Sequence, residues 1–457
     1  MAGSILSGCS RDHFEVSLPF AVPEHFNSAK TSKRTELSRW WTKYGSAELN
    51  ELMDAANSNN FDIAVAVAQL EQAEAQVQVA GAILWPTLNF TDNNSRSQTS
   101  GTNNPGIINK PTVRSSFTRV FNASYILDVW GMNRDTLRAA VNTASASEYQ
   151  IEVVRLTTRA AVVNNFLTYA ASYERVSVAK QNLVNAERVL RVIKERTAAG
   201  TASDLDVATQ TTLVETQRAA IPPLRQAAET SRTALALLLG RPVQQVELAT
   251  KGVRKLTLPE VAPGVPSTLL LRRPDIHAAE EQLEAADANV DAARKAFLPT
   301  ITLTGQYGVQ SALLSTLFRP ESVIWTIASS MVQVIFDGGK LRGQLKLTEA
   351  QRRQLLEAYR KSIVSAFTDV ENALIAIREN EAREKAVRRL VTAARRAFAL
   401  SEERLKEGVI DLSTLLTIQN TLFQAEDTLI QVRLARLQAV VSLFQALGGD
   451  WEVADDN

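Results

Sequence analysis

The sequence predicts a mixed fold in which long coiled α-helical hairpins are joined to membrane β-strands, arranged as two tandem repeats. Three observations carry that reading. First, residues 136–197 form a stretch of 62 residues with neither Gly nor Pro. At ~1.5 Å per residue such a helix spans roughly 90 Å, several times the width of a compact domain. Second, an Ala- and acid-rich segment from Asp275 stops at Pro299 and gives way to alternation. Ile301, Leu303, Tyr307 and Val309 share one face, and Thr302, Thr304 and Gln306 the other. That is the pattern of a strand with lipid on one side and water on the other. Third, Gly131, Arg134, Arg196, Gly200 and Gly240 recur as Gly339, Arg342, Arg404, Gly408 and Gly448, each 208 residues later.

The elements follow in order. Residues 1–9 read as a remnant signal whose Leu6-Ser7-Gly8-Cys9 resembles the lipobox of bacterial lipoproteins. Cys9, the single cysteine, is expected to carry lipid (palmitate) after cleavage; the competing reading is an incidental thiol. Residues 10–46 form an irregular arm with Trp40-Trp41 as its packing anchor. The first repeat occupies 47–240. Helical spacing runs from Ala47 to Leu84 through Leu49, Leu52, Met53, Ala56 and Ile63, and Trp85-Pro86 ends it. Strands are expected at about 87–97 and 116–128, with Phe117, Phe121, Ala123, Tyr125 and Leu127 on one face of the second. A long helix over 136–197 turns at Gly200, and a return helix follows over 204–239. It is expected to be interrupted at Pro222-Pro223, where two N–H donors are lost.

Residues 241–268 form a linker rich in Pro, Gly and Val. The second repeat, 269–448, opens on Arg272-Arg273-Pro274-Asp275-Ile276, with Pro in a first helical turn and an acid behind it. Its strands are expected at about 300–310 and 323–337, its long helix over 341–405 and its return helix over 412–447. Residues 449–457 are a tail. Pro86 maps to Pro299 at an offset of 213, so the first strand-to-strand loop is five residues longer.

Leu356, Ile363, Val370 and Ile377 recur every seven residues, and Phe367 with Leu374 widen the stripe; this is coiled-coil seam spacing. Four strands cannot close a membrane barrel, because the smallest need about eight. Left open, their edges would expose unpaired backbone to lipid at several kcal/mol per group. Other copies must therefore complete the sheet. Three copies would supply about twelve strands, wide enough for an aqueous lumen.

Other classes fall away. Lys and Arg total 50 against 49 Asp and Glu, a net charge of +1, so there is no electrostatic footprint for nucleic acid. No apolar run is long enough for a spanning helix, so insertion must use strands. His13, His25 and His277 are scattered and form no metal or catalytic cluster. Asp337-Gly338-Gly339-Lys340 lacks the upstream Gly and following Ser/Thr of a phosphate loop and reads as a strand-to-helix turn. No enzyme signature and no cofactor site is expected.

Several blocks carry a family resemblance: Gly264-Val265-Pro266-Ser267, Leu269 through Ile276, Phe297-Leu298-Pro299, Phe336-Asp337-Gly338-Gly339, and the turn from Arg404 to Gly408-Val409-Ile410-Asp411. Together they resemble the outer-membrane factor family of TolC-like channels, and within it the OprM/NodT-type efflux lipoproteins. The resemblance runs from about Trp40 to Leu447. It implies a homotrimer in the outer membrane of a Gram-negative bacterium, with a 12-stranded β-barrel continued by a periplasmic α-barrel. It also implies a passive exit duct for small toxic compounds or drugs, working with a periplasmic adaptor (membrane fusion) protein and an inner-membrane pump of RND type.

On this resemblance Gly200, Thr201, Ala202 and Ser203, with Gly408, Val409, Ile410 and Asp411, are periplasmic tips that dock the adaptor and gate the channel. A plain left-handed helix stop is the plainer reading of both turns. Asp204, Asp206, Ser413 and Thr417 are candidates for the aperture; Asp204 reads equally well as a helix N-cap. Many relatives carry an acid just after the Leu-Leu pair, where Leu415-Leu416 is followed here by Thr417. Two alternatives remain at this point: a channel for type I protein secretion, and a periplasmic coiled-coil scaffold with no channel. The linker and the Arg-Arg-Pro-Asp-Ile block favour efflux.

Overall fold

The structure, a computed structural model, describes residues 21–27, 37–100 and 112–451, so Cys9 lies outside the described residues. Its elements run α1 (Ala47–Asn59), α2 (Phe61–Ala82), β1 (Thr87–Thr99), β2 (Thr112–Leu127), α3 (Met132–Ala198), α4 (Asp204–Leu238), α5 (Pro274–Lys295), β3 (Thr300–Ser311), β4 (Val323–Val332), α6 (Lys340–Lys406) and α7 (Leu412–Ala446). The two long helices have 67 residues each and the two return helices 35 each. No described helix is long and apolar enough to cross a membrane.

Three expectations need correction. The single helix over Ala47–Leu84 is two, because Asn60 takes an extended conformation and its side chain accepts the Ile63 N–H, capping α2. The strand expected to reach 337 ends at Val332. Its partner β3 begins at Thr300, opposite Val332, and the Pro299 before it has no N–H to donate. Val334, Ile335 and Phe336 are left exposed. The return helix is not interrupted at Pro222-Pro223, which sit inside a continuous α4. Buried Ile221 and Ala228 on either side hold that stretch in packing contact.

Helix α3 packs on α4 and α6 on α7; α5 lies between α3 and α6, α2 rests on α3, and α7 crosses to α3. Of the predicted seam, Ile363 and Val370 are fully buried. The main core collects α1, the middle of α3 and the end of α7 around Trp40, Tyr44, Phe166 and Phe444. Trp40 stacks on Phe444 at 4.8 Å between centroids, and the Tyr44 hydroxyl donates to the Leu437 carbonyl at 3.1 Å. Burial drives the Tyr44 pKa far above its usual value.

The 241–268 stretch is tied down rather than loose. Val246, Leu248, Val253 and Leu256 are buried in the same core. The Glu48 carboxylate accepts the Ala249 and Thr250 N–H groups, Glu174 accepts that of Val253 at 2.7 Å, and Arg433 donates to the Leu256 carbonyl at 3.0 Å. These fixed carboxylates and the guanidinium satisfy backbone that has no ladder of its own.

The repeat is visible in the joints. Gly240 and Gly448 both take left-handed φ, 64° and 90°, after α4 and α7. A Cβ at either would collide with a carbonyl oxygen, that of Asn59 or of Arg272. Next to each contact a side chain reaches back to the helix end: Asn60 donates to Leu238 at 2.8 Å and Arg273 to Ala446 at 3.4 Å. Arg273 is further held by Asp275 at 2.7 Å and Asp369 at 3.0 Å. The Arg-Arg-Pro-Asp-Ile block is thus a structural joint.

Candidate functional site: a two-faced sheet and two helical tips

The four strands form one antiparallel sheet in the order β1-β2-β3-β4, so β1 and β4 each have one free edge. Register places Phe90 opposite Phe121, Phe121 opposite Tyr307, and Tyr307 opposite Trp325. This is an aromatic row across the whole sheet, with all four rings at least half exposed. Leu88, Ala123, Gly305 and Ile327 form the next row on that face; on the other side lie Asp92 and Arg119, ion-paired at 3.3 Å. An apolar band bounded by aromatics and then by charge is how a strand meets a bilayer boundary.

The opposite face is polar. Asn89, Asn122, Gln306 and Thr326 align across it. Gln306 donates to Asn122 at 3.0 Å, and Asn122 to the Thr91 hydroxyl at 3.1 Å. The alternation expected for β3 thus extends over all four strands.

Each strand pair feeds its long helix through an aspartate turn. Asp128 accepts the Asn133 and Arg134 N–H groups at 3.0 Å each, and Asp337 accepts those of Gly339 and Leu341 at 2.8 Å each. For Asp128, burial pushes the carboxyl pKa up, but those N–H groups and Arg134 outweigh it and hold it below the usual range. For Asp337 the Leu341 N–H is the main cause of a similar lowering. Asp337-Gly338-Gly339-Lys340 therefore spends its N–H groups on its own aspartate, as a turn does.

At the far end the two tips share one geometry. After α3 the Thr201 N–H returns to the Arg196 carbonyl at 2.8 Å and that of Gly200 to Thr197 at 3.0 Å; after α6 the Val409 N–H returns to Arg404 and that of Gly408 to Leu405. Both are Schellman stops. Gly200 and Gly408 have φ of 75° and 74°, with open space where a Cβ would stand. Arg196 ties the tips together, donating to the Leu405 carbonyl at 2.8 Å.

Beyond the glycines the tips differ in their caps. Ser203, not Asp204, is the N-cap of α4, and it forms a reciprocal capping box with Asp206. The reason is register: Asp204 is already the first helical residue. Asp411 caps α7, accepting the Thr414 N–H at 2.8 Å and the Ser413 hydroxyl at 3.1 Å. The bonds from Thr414 and Ser413 hold its carboxyl pKa below the ordinary value. Thr417 donates to the Ser413 carbonyl at 2.9 Å, within its own helix. Of the four aperture candidates, Asp204 alone keeps an uncommitted, exposed side chain. Thr201 is exposed and Ala202 and Ile410 half-buried, while Leu205 and Val409 stand out as exposed apolar groups at 73% and 65%.

Sequence reasoning missed two buried amides just above the tips. Gln210 donates to the Ala186 carbonyl at 2.8 Å, whereas Gln419, fully buried, has neither amide atom hydrogen-bonded. Nothing in the local pattern separates a buried Gln from a surface one. Among the described residues no group of acidic, His or Cys side chains is arranged to hold a metal ion.

The sequence matches the family described as "Outer membrane efflux protein" over residues 52–241 and 265–449. It is 37% identical over 453 residues to the pyoverdine export outer membrane protein OpmQ of Pseudomonas aeruginosa, covering 98% of this chain and 95% of that one. It is 35% identical over 415 residues to the outer membrane protein OprJ of the same organism, covering 90% and 86%. The fold superposes on the CmeC outer membrane channel of Campylobacter jejuni with a TM-score of 0.89 and 25% identity, covering 96% of this chain and 95% of that one.

Proposed function

The chain belongs to the outer membrane efflux protein family, and from that premise we propose how it forms a conduit. It is an outer-membrane efflux component with the TolC-like channel fold, a transport protein rather than an enzyme. Three copies complete one another's sheets into a 12-stranded barrel, and their hairpins continue it into the periplasm as a helical tube. The observation that carries this is the open four-stranded sheet, apolar on one face and hydrogen-bonded on the other, with both edges unpaired. Such edges are untenable in lipid unless another copy pairs them.

The repeat gives the pairing. Within the chain Ser124 of β2 faces Thr304 of β3. Ser124 corresponds to Val332, and Thr304 to Thr91, because Thr87–Ser124 and Thr300–Val332 are matching pairs. Val332 of one copy therefore faces Thr91 of the next. Continuing that register places Ile335 opposite Leu88, which covers the exposed Val334, Ile335 and Phe336.

The duct is passive and accepts small organic compounds from an RND-type inner-membrane pump through a periplasmic adaptor. The names of its relatives, from pyoverdine export to toluene efflux, support a small-molecule cargo over a secreted polypeptide. The adaptor docks on Gly200–Ser203 and Gly408–Asp411, where exposed Leu205 and Val409 offer apolar contacts. Asp204 lines the aperture in three copies as an acidic ring. Cys9 carries the lipid anchor. The test is conductance across planar lipid bilayers: purified oligomer is expected to give uniform ohmic steps, and no steps from membrane-inserted protein would refute the duct.

A further inference from the structure

We propose that Arg114 forms a basic ring at the outer mouth of the barrel, biasing the exit towards organic anions and against external cations. The inference rests on the shared barrel just described.

Register decides which side chains share the polar face. The pairing of β1 with β2 runs without a break from Thr87 opposite Ser124 to Thr99 opposite Thr112, so strict alternation holds along both strands. Asn122 belongs to the hydrogen-bonded face, and so therefore do Val120, Thr118, Ser116, Arg114 and Thr112. On β1, β3 and β4 the same face carries hydroxyl, amide, Gly and small apolar residues, and no charge. Among the described strands Arg114 is thus the one charged residue on that wall; Asp92, Arg96 and Arg119 fall on the other.

Its place is the end of the sheet away from the helices, since β1 leaves α2 at Thr87 and β2 runs into α3 after Leu127. Arg114 is exposed, sits opposite Ser97, and makes no ion pair among the described residues. Its equivalent in the second repeat, 208 residues on, is Ser322, so three copies carry three such charges and not six. Arg319 and Glu321, exposed in the loop before β4, offset each other in charge. A wall of amides and hydroxyls prefers neither sign of solute, so the arginines set the potential at the mouth. At physiological ionic strength that potential reaches about 8 Å from the wall. It therefore biases solutes that pass along the wall and leaves the axis nearly neutral. Anions gather at the exit and outside cations are held off. The sign is opposite to that of the Asp204 ring proposed at the tips.

Thiol chemistry reads this potential whether the tips are open or closed. Ser116→Cys places a thiol one step deeper on the same face. Its reaction with a negatively and with a positively charged methanethiosulfonate is followed in outer-membrane vesicles, over the parent, whose one thiol is Cys9. Taking the ratio of the two rates, negative over positive, cancels any change in the thiolate fraction, which speeds both alike. That ratio is expected to fall roughly fivefold in Arg114→Gln at low ionic strength, where the screening length is about 30 Å. It should hold in Arg114→Lys, and at about 1 M salt it should no longer depend on residue 114. Asn122→Cys, deeper still, reports water on that face. If Asn122→Cys reacts while the ratio at Ser116→Cys ignores Arg114→Gln, the ring falls and the duct stands. If Asn122→Cys is inert to both reagents, both fall.

Discussion

The two hairpins have equal lengths and matching turns, yet their own chain covers them unequally. Helix α3 is packed by α2, α4, α5 and α7, whereas α6 is packed chiefly by α5 and α7. The sheet repeats the lesson: β2 and β3 have partners on both sides, and β1 and β4 on one. In the proposed assembly, what the first repeat receives from the second, the second receives from another copy, and the asymmetry marks where that copy would sit.

Changes that attack the shared surface should have the largest effects. Ile327→Arg puts a charge on the apolar face of edge strand β4, one row from the aromatic boundary, where the cost in each copy lies between about 1 kcal/mol at the interface and about 2–4 kcal/mol at the midplane. Thr326→Arg, on the polar face, should be tolerated. Yields of oligomer in outer-membrane fractions compare the two, and equal losses would break the assignment of faces.

The next prediction sets one repeat against the other. Glu384 of α6 is 1% exposed and bonds Arg388 at 2.5 Å and Arg436 at 3.0 Å, with Arg433 at 3.5 Å; its equivalent on α3 is Val176. Glu384→Val should destabilise by about 1–3 kcal/mol, because Arg433 and Arg436 lose the carboxylate they share and keep only the Leu256 carbonyl and Glu381, as read by chemical denaturation. Burial pushes the Glu384 pKa up, but Arg388 and Arg436 outweigh it and hold it below the usual range. A lowered folded-state pKa contributes stability above the ordinary glutamate value of about 4.3 and loses it as pH falls through the lowered one. Melting temperature should therefore drop more steeply in acid for the parent than for Glu384→Gln.

At the tips, Ser203→Ala removes an N-cap worth about 1 kcal/mol, and Asp411→Ala removes that of α7. Amide exchange should quicken in the first turns of α4 and α7 respectively, each leaving the other tip unchanged. The smallest effect is expected at Gln419. Replacing an unpaired buried amide by Met should be neutral or stabilising by less than about 1 kcal/mol, visible in the same denaturation series.

Much of this was legible in the residues. The gap free of Gly and Pro gave the long helix, the alternation around Tyr307 gave the sheet's two faces, and the 208-residue spacing gave the repeat. Those signals are periodic, so they survive without tertiary knowledge. Asn60 escaped because a capping side chain within apolar periodicity looks like a surface residue. The end of β4 escaped because it depends on where another strand begins. Ser203 was passed over in favour of Asp204, since both suit a cap and one residue of register decides. The ties from Glu48 and Glu174 to the linker join positions roughly eighty to two hundred residues apart, and no local pattern reports them.

The account stands on copies completing one another's sheet, and one cross-link tests it most directly. With Val332→Cys and Thr91→Cys in the same chain, mild oxidation in outer-membrane vesicles is expected to give a ladder that ends at three chains, absent in either single variant. A ladder that continues past three, or no cross-link between copies, would contradict the shared barrel.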